Sequence, residues 1–306
     1  MSLLALLASL LAQHAWPVKG RQALLALYGR LALSTAKRLN AGDRNSGILA
    51  WFALMAVALV PTALVTGLAA AIHPVVVWAL DVAVLYGTLR FLATTSRLAE
   101  IEKALRGGDP AAAASRLGEW LGEPVETDDP GTLARLAAEQ TLREAHHGSF
   151  ALLFWFLALP GPLGLIAYPL ALRAARSWEH FVEPEEREFG WFAARAFHVI
   201  DWVPQRLTAF AFAVVGNFED ALFCWRSQAA QWLRPEEGIV LASGAGALGA
   251  RLGDPIPRAG ALVSRPPLGS GEAARDDTLA SLEGLLWRAL VLWMIVYLLA
   301  AALQLA

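Results

Sequence analysis

Residues 48–71, ILAWFALMAVALVPTALVTGLAAA, run without a single charged side chain. As a helix rising 1.5 Å per residue, such a run exceeds a hydrocarbon core of about 30 Å. It predicts a membrane-spanning helix, and Pro61 within it is a kink that membrane helices tolerate. The rest of the chain agrees with a bilayer setting. Of 306 residues, 57% are hydrophobic and 17% charged, which departs from ordinary globular averages in both directions. Twelve tryptophans suit a protein with rings at the membrane interface. The net charge of −2 gives no reason to expect a polyanion, and no nucleic-acid partner is expected. Cys224 is the one cysteine, which excludes an intrachain disulfide framework and multi-cysteine metal sites.

Four further regions compete for spans. HPVVVWALDVAVLYGTLRFLA (73–93) carries Asp81 as its anomaly, and 150–172 has a PGPLG centre that suggests a broken or re-entrant helix. Residues 285–305 carry Arg288 near one end, where its head can snorkel. In 196–216 only LTAFAFAVVG is uninterrupted, which is too short to cross. The expectation is an all-α, polytopic helical membrane protein with four to five spans, a broken helix and amphipathic cytoplasmic helices. The lipid bilayer is its first partner, and a bacterial inner membrane its location. The N-terminus has no basic region before its apolar run, so 1–12 reads as a short interfacial or half-buried helix that is retained.

Residues 13–47 hold six Lys or Arg and one Asp. Leu24, Leu27, Leu31 and Ala32 share one helical face there, as in an amphipathic helix on a membrane surface. Its basic density places it on the cytoplasmic side. Residues 94–149 then return to that side as an insertion of three helices with turns at GGDP and GEP. Asp129 before Pro130 is the cap of the third. Residues 217–284 are a cytoplasmic segment richer in Gly and Pro, with loops dominating after Leu233. All of this is read as one membrane domain, 1–306.

The residues able to carry chemistry are few. His198, Asp201 and Gln205 share a helical face by spacing, with Arg195 near the same stripe and Arg206 beyond Pro204. One reading is a site for an anionic group received by Arg195 and Arg206. The other is an interfacial helix in which Asp201 and Arg206 brace a kink. Glu179, Glu183 and Glu186 read as a solvated acidic loop, and His146 and His147 lack the HExxH spacing of a zinc site. The Gly-rich stretch 242–260 carries neither a P-loop nor a dinucleotide fingerprint. No nucleophile elbow or kinase set is present.

Several segments in order resemble the CobD/CbiB family of cobalamin biosynthesis. They are AGDRNSGILAW (41–51), ALRGGDPAAAASRL (104–117), LAAEQTLREAHHGSFALLFWFLALPGPLGLIAY (136–168), FGWFAARAFHVIDWVPQRLTA (189–209) and GAGALGARLGDP (244–255). HVIDWVPQRL leans toward its relative AmpE, which would imply a non-catalytic membrane regulator linked to cell-wall and β-lactamase signalling, with membrane or cell-wall pathway proteins as partners. The family resemblance implies amide formation between a corrinoid carboxylate and an aminopropanol or its phosphate, with Mg²⁺ and ATP. On the matching positions it implies Glu139 and Asp201 as catalytic and Mg²⁺-holding carboxylates. It implies Arg195 and Arg206 as receivers of phosphate or substrate carboxylates. The chain departs from the family where an Asn-Thr-x-Asp-Ser segment becomes ALRAARS and an Asp-Asp pair becomes HVIDW.

Overall fold

The structure is a computed structural model that describes residues 2–16, 21–179, 187–258 and 261–303. Its helices are α1 (Ser2–Ala15), α2 (Arg21–Leu39), α3 (Arg44–Ile72), α4 (Pro74–Thr88), α5 (Phe91–Arg106), α6 (Pro110–Leu121), α7 (Pro130–Ala145), α8 (Ala151–Ala158), α9 (Leu163–Trp178), α10 (Arg187–Val215), α11 (Phe218–Gln228), α12 (Pro235–Leu248) and α13 (Asp276–Leu303). The only strands among the described residues are short: β1 (Ala250–Arg251) parallel to β4 (Glu272–Ala273), and β2 (Ile256–Arg258) antiparallel to β3 (Ala261–Val263). The fold is that of an all-α helical membrane protein. Contacts divide it into two compact units, one of residues 1–89, 151–202 and 297–306, the other of 90–150 and 203–296.

Among the described residues, three helical stretches are long and apolar enough to cross a membrane: Arg44–Ile72, Pro74–Arg106 and Asp276–Leu303. The first begins at Asp43, whose side chain accepts from the Ser46 N–H at 2.9 Å. It turns into α4 at His73, whose Nδ1 accepts from the Val75 N–H with Pro74 at the first helical position. The expected break in 150–172 is present. Pro160 and Pro162 have no N–H to continue a helix, so α8 ends at Ala158 and α9 starts at Leu163. Region 196–216 lies inside the 29-residue α10, which continues through Pro204.

In the first unit α1 packs on α4, and Gln13 donates to the carbonyls of Leu85 and Tyr86. The basic helix α2 packs on α3 and α9, where the Trp178 indole donates to Ala32 O at 3.0 Å. Leu27 and Leu31 lie on it as expected, whereas the side chain of Leu24 lies outside the described residues, as do Glu183 and Glu186. Gly47 lets α3 meet the start of α10, because a Cβ there would collide with the Phe189 carbonyl. The Tyr297 hydroxyl donates to Leu153 O at 2.6 Å, tying the end of α13 to α8.

In the second unit the three helices expected within 94–149 are α5, α6 and α7. Asp129 caps the third, accepting from the Thr132 N–H at 2.8 Å. The Thr132 side-chain bond, then the backbone bond, hold its carboxyl below the ordinary carboxylate pKa. Its stabilising effect is therefore present above the unfolded-state pKa and disappears as pH falls through the lower folded-state value. Asp129→Ala is expected to cost about 1 kcal/mol at neutral pH. Denaturation curves of variant and parent should converge as pH drops below about 4.

One expectation is corrected here. Loops do not dominate directly after Leu233: Pro235 starts a 14-residue helix, α12, that carries IVLASGAGAL to Leu248. The small residues are used for close packing rather than turns. A Cβ on Gly244 would meet the Leu142 side chain, and one on Gly246 the backbone of Asp220 and Ala221. Loops and short strands begin only at Gly249.

Candidate functional site

The second unit contains a cavity of about 260 Å³ between α6, α7 and the 232–265 segment, lined by three glutamates and three arginines as well as apolar side chains. Its core is Glu139, fully buried on α7. The Arg265 guanidinium grips it with two bonds, Nη1 to Oε2 at 2.7 Å and Nη2 to Oε1 at 3.0 Å. The Gly253 N–H donates to Oε1 at 3.1 Å, and Arg143 Nη2 to Oε2 at 3.3 Å. Arg143 lies 3.3 Å from Glu237, which pairs with Arg234 at 3.8 Å. The Arg265 guanidinium also lies over the Trp232 ring, 5.3 Å from its centroid.

Backbone geometry makes this possible. Gly253 has a φ of 93°, and a Cβ there would strike the Pro266 carbonyl. Glycine thus lets the 251–268 ladder close while its N–H points at Glu139. Arg135, one turn before Glu139, donates to Pro255 O at 2.9 Å and pairs with Asp254 at 3.4 Å. Burial and the nearby Arg265 cation lower its pKa, against the pull of Glu139 and Asp254.

At the end of α7 the chain makes a π-helical turn, His146–Phe150. Such turns are frequent at functional sites. It is anchored by Arg90, whose Nη1 lies 2.9 Å from Glu144 and whose backbone N–H donates to Gly148 O at 2.8 Å. His146 Nδ1 lies 2.9 Å from Thr208 Oγ1. Gln205 is fully buried, and neither of its amide atoms has a hydrogen-bond partner. The turn left no trace in the sequence beyond the His-His-Gly step.

The sequence candidates separate. Glu139 lies in the second unit, at the cavity. Arg206 is in the same unit, part-buried, and does not line that cavity. Asp201 is in the first unit, 1% exposed, and accepts from the Tyr168 hydroxyl at 2.8 Å. Arg195 is exposed, while His198 is part-buried. α10 is polar on its inner face and apolar on its outer one. Asp201, Gln205 and Thr208 are buried, whereas Val199, Phe210 and Val214 are exposed. Buried polar groups beside exposed apolar ones are expected of a helix that meets lipid, and α10 is not one of the three stretches apolar enough to cross by composition. Sequence reasoning missed Arg265, Arg143 and Glu237; no local motif announces them.

These side chains can be tested against the Mg²⁺ and ATP that the resemblance implies. Both oxygens of Glu139 are already taken by donors, two of them cationic. Asp201 accepts from the Tyr168 phenol within its unit. Neither offers the open set of oxygens that Mg²⁺ requires, so the arrangement does not fit a resident Mg²⁺ at these residues.

The family model described as CobD/Cbib protein matches residues 3–286. The chain belongs to the CobD/CbiB family. It is 32% identical over 278 residues to "Cobalamin biosynthesis protein CobD" of Stutzerimonas stutzeri (strain A1501), covering 90% of this chain and 89% of that protein. A protein of the same name from Chromobacterium violaceum is 35% identical over 222 residues, covering 72% and 70% of the two chains. "Cobalamin biosynthesis protein CbiB" of Salmonella typhimurium (strain LT2) is 28% identical over 232 residues, covering 73% and 71%. No solved structure matches. The lean of HVIDWVPQRL toward AmpE finds no support in these matches.

Proposed function

We propose that this CobD/CbiB protein catalyses the joining of a corrinoid carboxylate to an aminopropanol or its phosphate through an amide bond, at the bacterial inner membrane with its basic 13–47 segment on the cytoplasmic side. The observation that carries this reading is the family match over nearly the whole chain. The cavity in the second unit supports it on chemical grounds. At about 260 Å³ it is too small for a corrin ring and of the size for a small amine. Its alternating arginines and glutamates suit a zwitterion, with Arg143 and Arg234 facing a phosphate and Glu237 an ammonium. Forming the amide from a carboxylate and an ammonium releases the elements of water, one oxygen from the carboxylate and two protons from the ammonium. Asp201, in the other unit, is proposed as a catalytic carboxylate on the resemblance alone. Energy for the step is assigned to ATP with Mg²⁺ by resemblance alone, and no residue here is assigned to them.

The test is the purified chain in nanodiscs, supplied with Mg·ATP, an adenosylated corrinoid acid and either aminopropanol or aminopropanol phosphate, with the amide detected by mass spectrometry. The phosphate ester is expected to show the lower KM. The absence of product from both amines, in a preparation with a cooperative thermal transition, would remove this reading.

A further inference from the structure

Asp81 lies midway along α4, 8% exposed, and its Oδ1 has no hydrogen-bond partner. An unpaired carboxylate at such depth in an apolar helix is costly and must be offset by a cation or a proton. What faces it is the break between α8 and α9. Gly161 sits in that break with a φ of 60°, and the point where a Cβ would stand is 3.0 Å from the Thr66 methyl, with two oxygens a little farther off. Asp81 Oδ1 is 3.8 Å from that point and Thr66 Oγ1 is 3.9 Å from it. The Thr66 hydroxyl spends its proton on Thr62 O at 2.8 Å, leaving its lone pairs for another partner. Pro160 and Pro162 have no N–H, so the carbonyls of Phe156 and Ala158 receive no helical i+4 donor.

We propose that Asp81, Thr66 and the backbone at Gly161 form a binding site for a monovalent cation, with Na⁺ as the fitting ion. Carboxylate, hydroxyl and carbonyl oxygens at a broken membrane helix are the ligand chemistry of alkali-metal sites. One carboxylate supplies one negative charge, which matches a monovalent ion and falls short of what Ca²⁺ or Mg²⁺ sites gather. The last carbonyls of α8 add negative dipole. Glycine at 161 lets the break approach Thr66 this closely, because a Cβ would press on its methyl. The site is the eighth residue, about 12 Å, along α4 from the α3–α4 turn. Two prolines that break a helix thus gain a purpose beyond ending it.

The test uses the full chain in nanodiscs, titrated with NaCl at constant ionic strength against N-methyl-D-glucamine chloride. Saturable binding of radioactive sodium near one ion per chain is expected, and Tm should rise by about 3 °C between zero and about 100 mM Na⁺. Asp81→Asn should abolish both responses without lowering the sodium-free Tm, because the unpaired charge is gone. Thr66→Val should weaken binding at least about tenfold and serves if Asp81→Asn does not fold. Gly161→Ala should also lose the sodium response. A Tm that follows pH but not Na⁺, with no sodium bound above the Asp81→Asn level, would mean that the carboxyl carries a proton, and the proposal fails. A sodium response that survives in Asp81→Asn, or one of undiminished affinity in Thr66→Val, overturns it equally.

Discussion

Replacing Arg265 with methionine is expected to destabilise the second unit by about 3 kcal/mol, the lower end of what is seen when one partner of a buried ion pair is removed. Glu139 and Arg265 are 1% and 7% exposed at their side chains, and two parallel bonds join them. Losing the guanidinium leaves a carboxylate in a dry interior with Arg143 at 3.3 Å as its remaining cationic donor. That residual contact keeps the expected cost from being larger. Arg265→Met combined with Glu139→Gln should recover a substantial part, because no charge is then stranded. Chemical denaturation in detergent measures both. Hydrogen exchange over 249–275 should accelerate in the single variant first, since Arg265 also donates to Asp254 O. A loss under about 1 kcal/mol would show that the pair does not hold this loop.

The second large effect falls on Asp201. Asp201→Asn keeps a carbonyl oxygen to accept from Tyr168, now 2.8 Å from the carboxylate, so the local shape survives. It removes the carboxylate that the family resemblance marks as catalytic. Product formation is expected to fall by about a hundredfold or more with an unchanged thermal transition. Tyr168→Phe should cost much less activity, about tenfold, because it only orients the carboxylate. If Asp201→Asn instead lowers Tm and the remaining folded protein turns over normally, Asp201 is a packing group and not a catalytic carboxylate.

What the sequence disclosed follows from the range of the forces involved. The uncharged run at 48–71 and the PGPLG break are local, and each set its element without reference to any other part of the chain. So did Asp129 with Pro130, where a cap needs only the next turn. Glu139 was singled out because a matched segment pointed to it, yet its partner Arg265 lies 126 positions away, in a stretch with no pattern of its own. Long-range pairing of that kind has no periodic signature. Region 242–248 misled for another reason. Glycine disfavours an isolated helix, but tertiary packing rewards the close approach that glycine permits, and packing won. Arg195 shared a stripe with His198 and Asp201 by spacing alone, and the structure turns it outward while Asp201 goes in.

The first unit is stitched from three separated stretches, 1–89, 151–202 and 297–306. During synthesis this order acts as a timetable. The amino-terminal helices leave the ribosome well before α9, against which α2 and α3 pack, and the Tyr297–Leu153 bond cannot form until nearly the whole polypeptide has emerged. The second unit, closed by residues 203–296, has all its own segments in hand earlier. A nascent chain therefore holds its first helices in the bilayer as unfinished parts. A premature stop just short of Tyr297 would strand the opening third of the molecule as well as its end, exposing it to the quality-control proteases that survey incomplete membrane proteins.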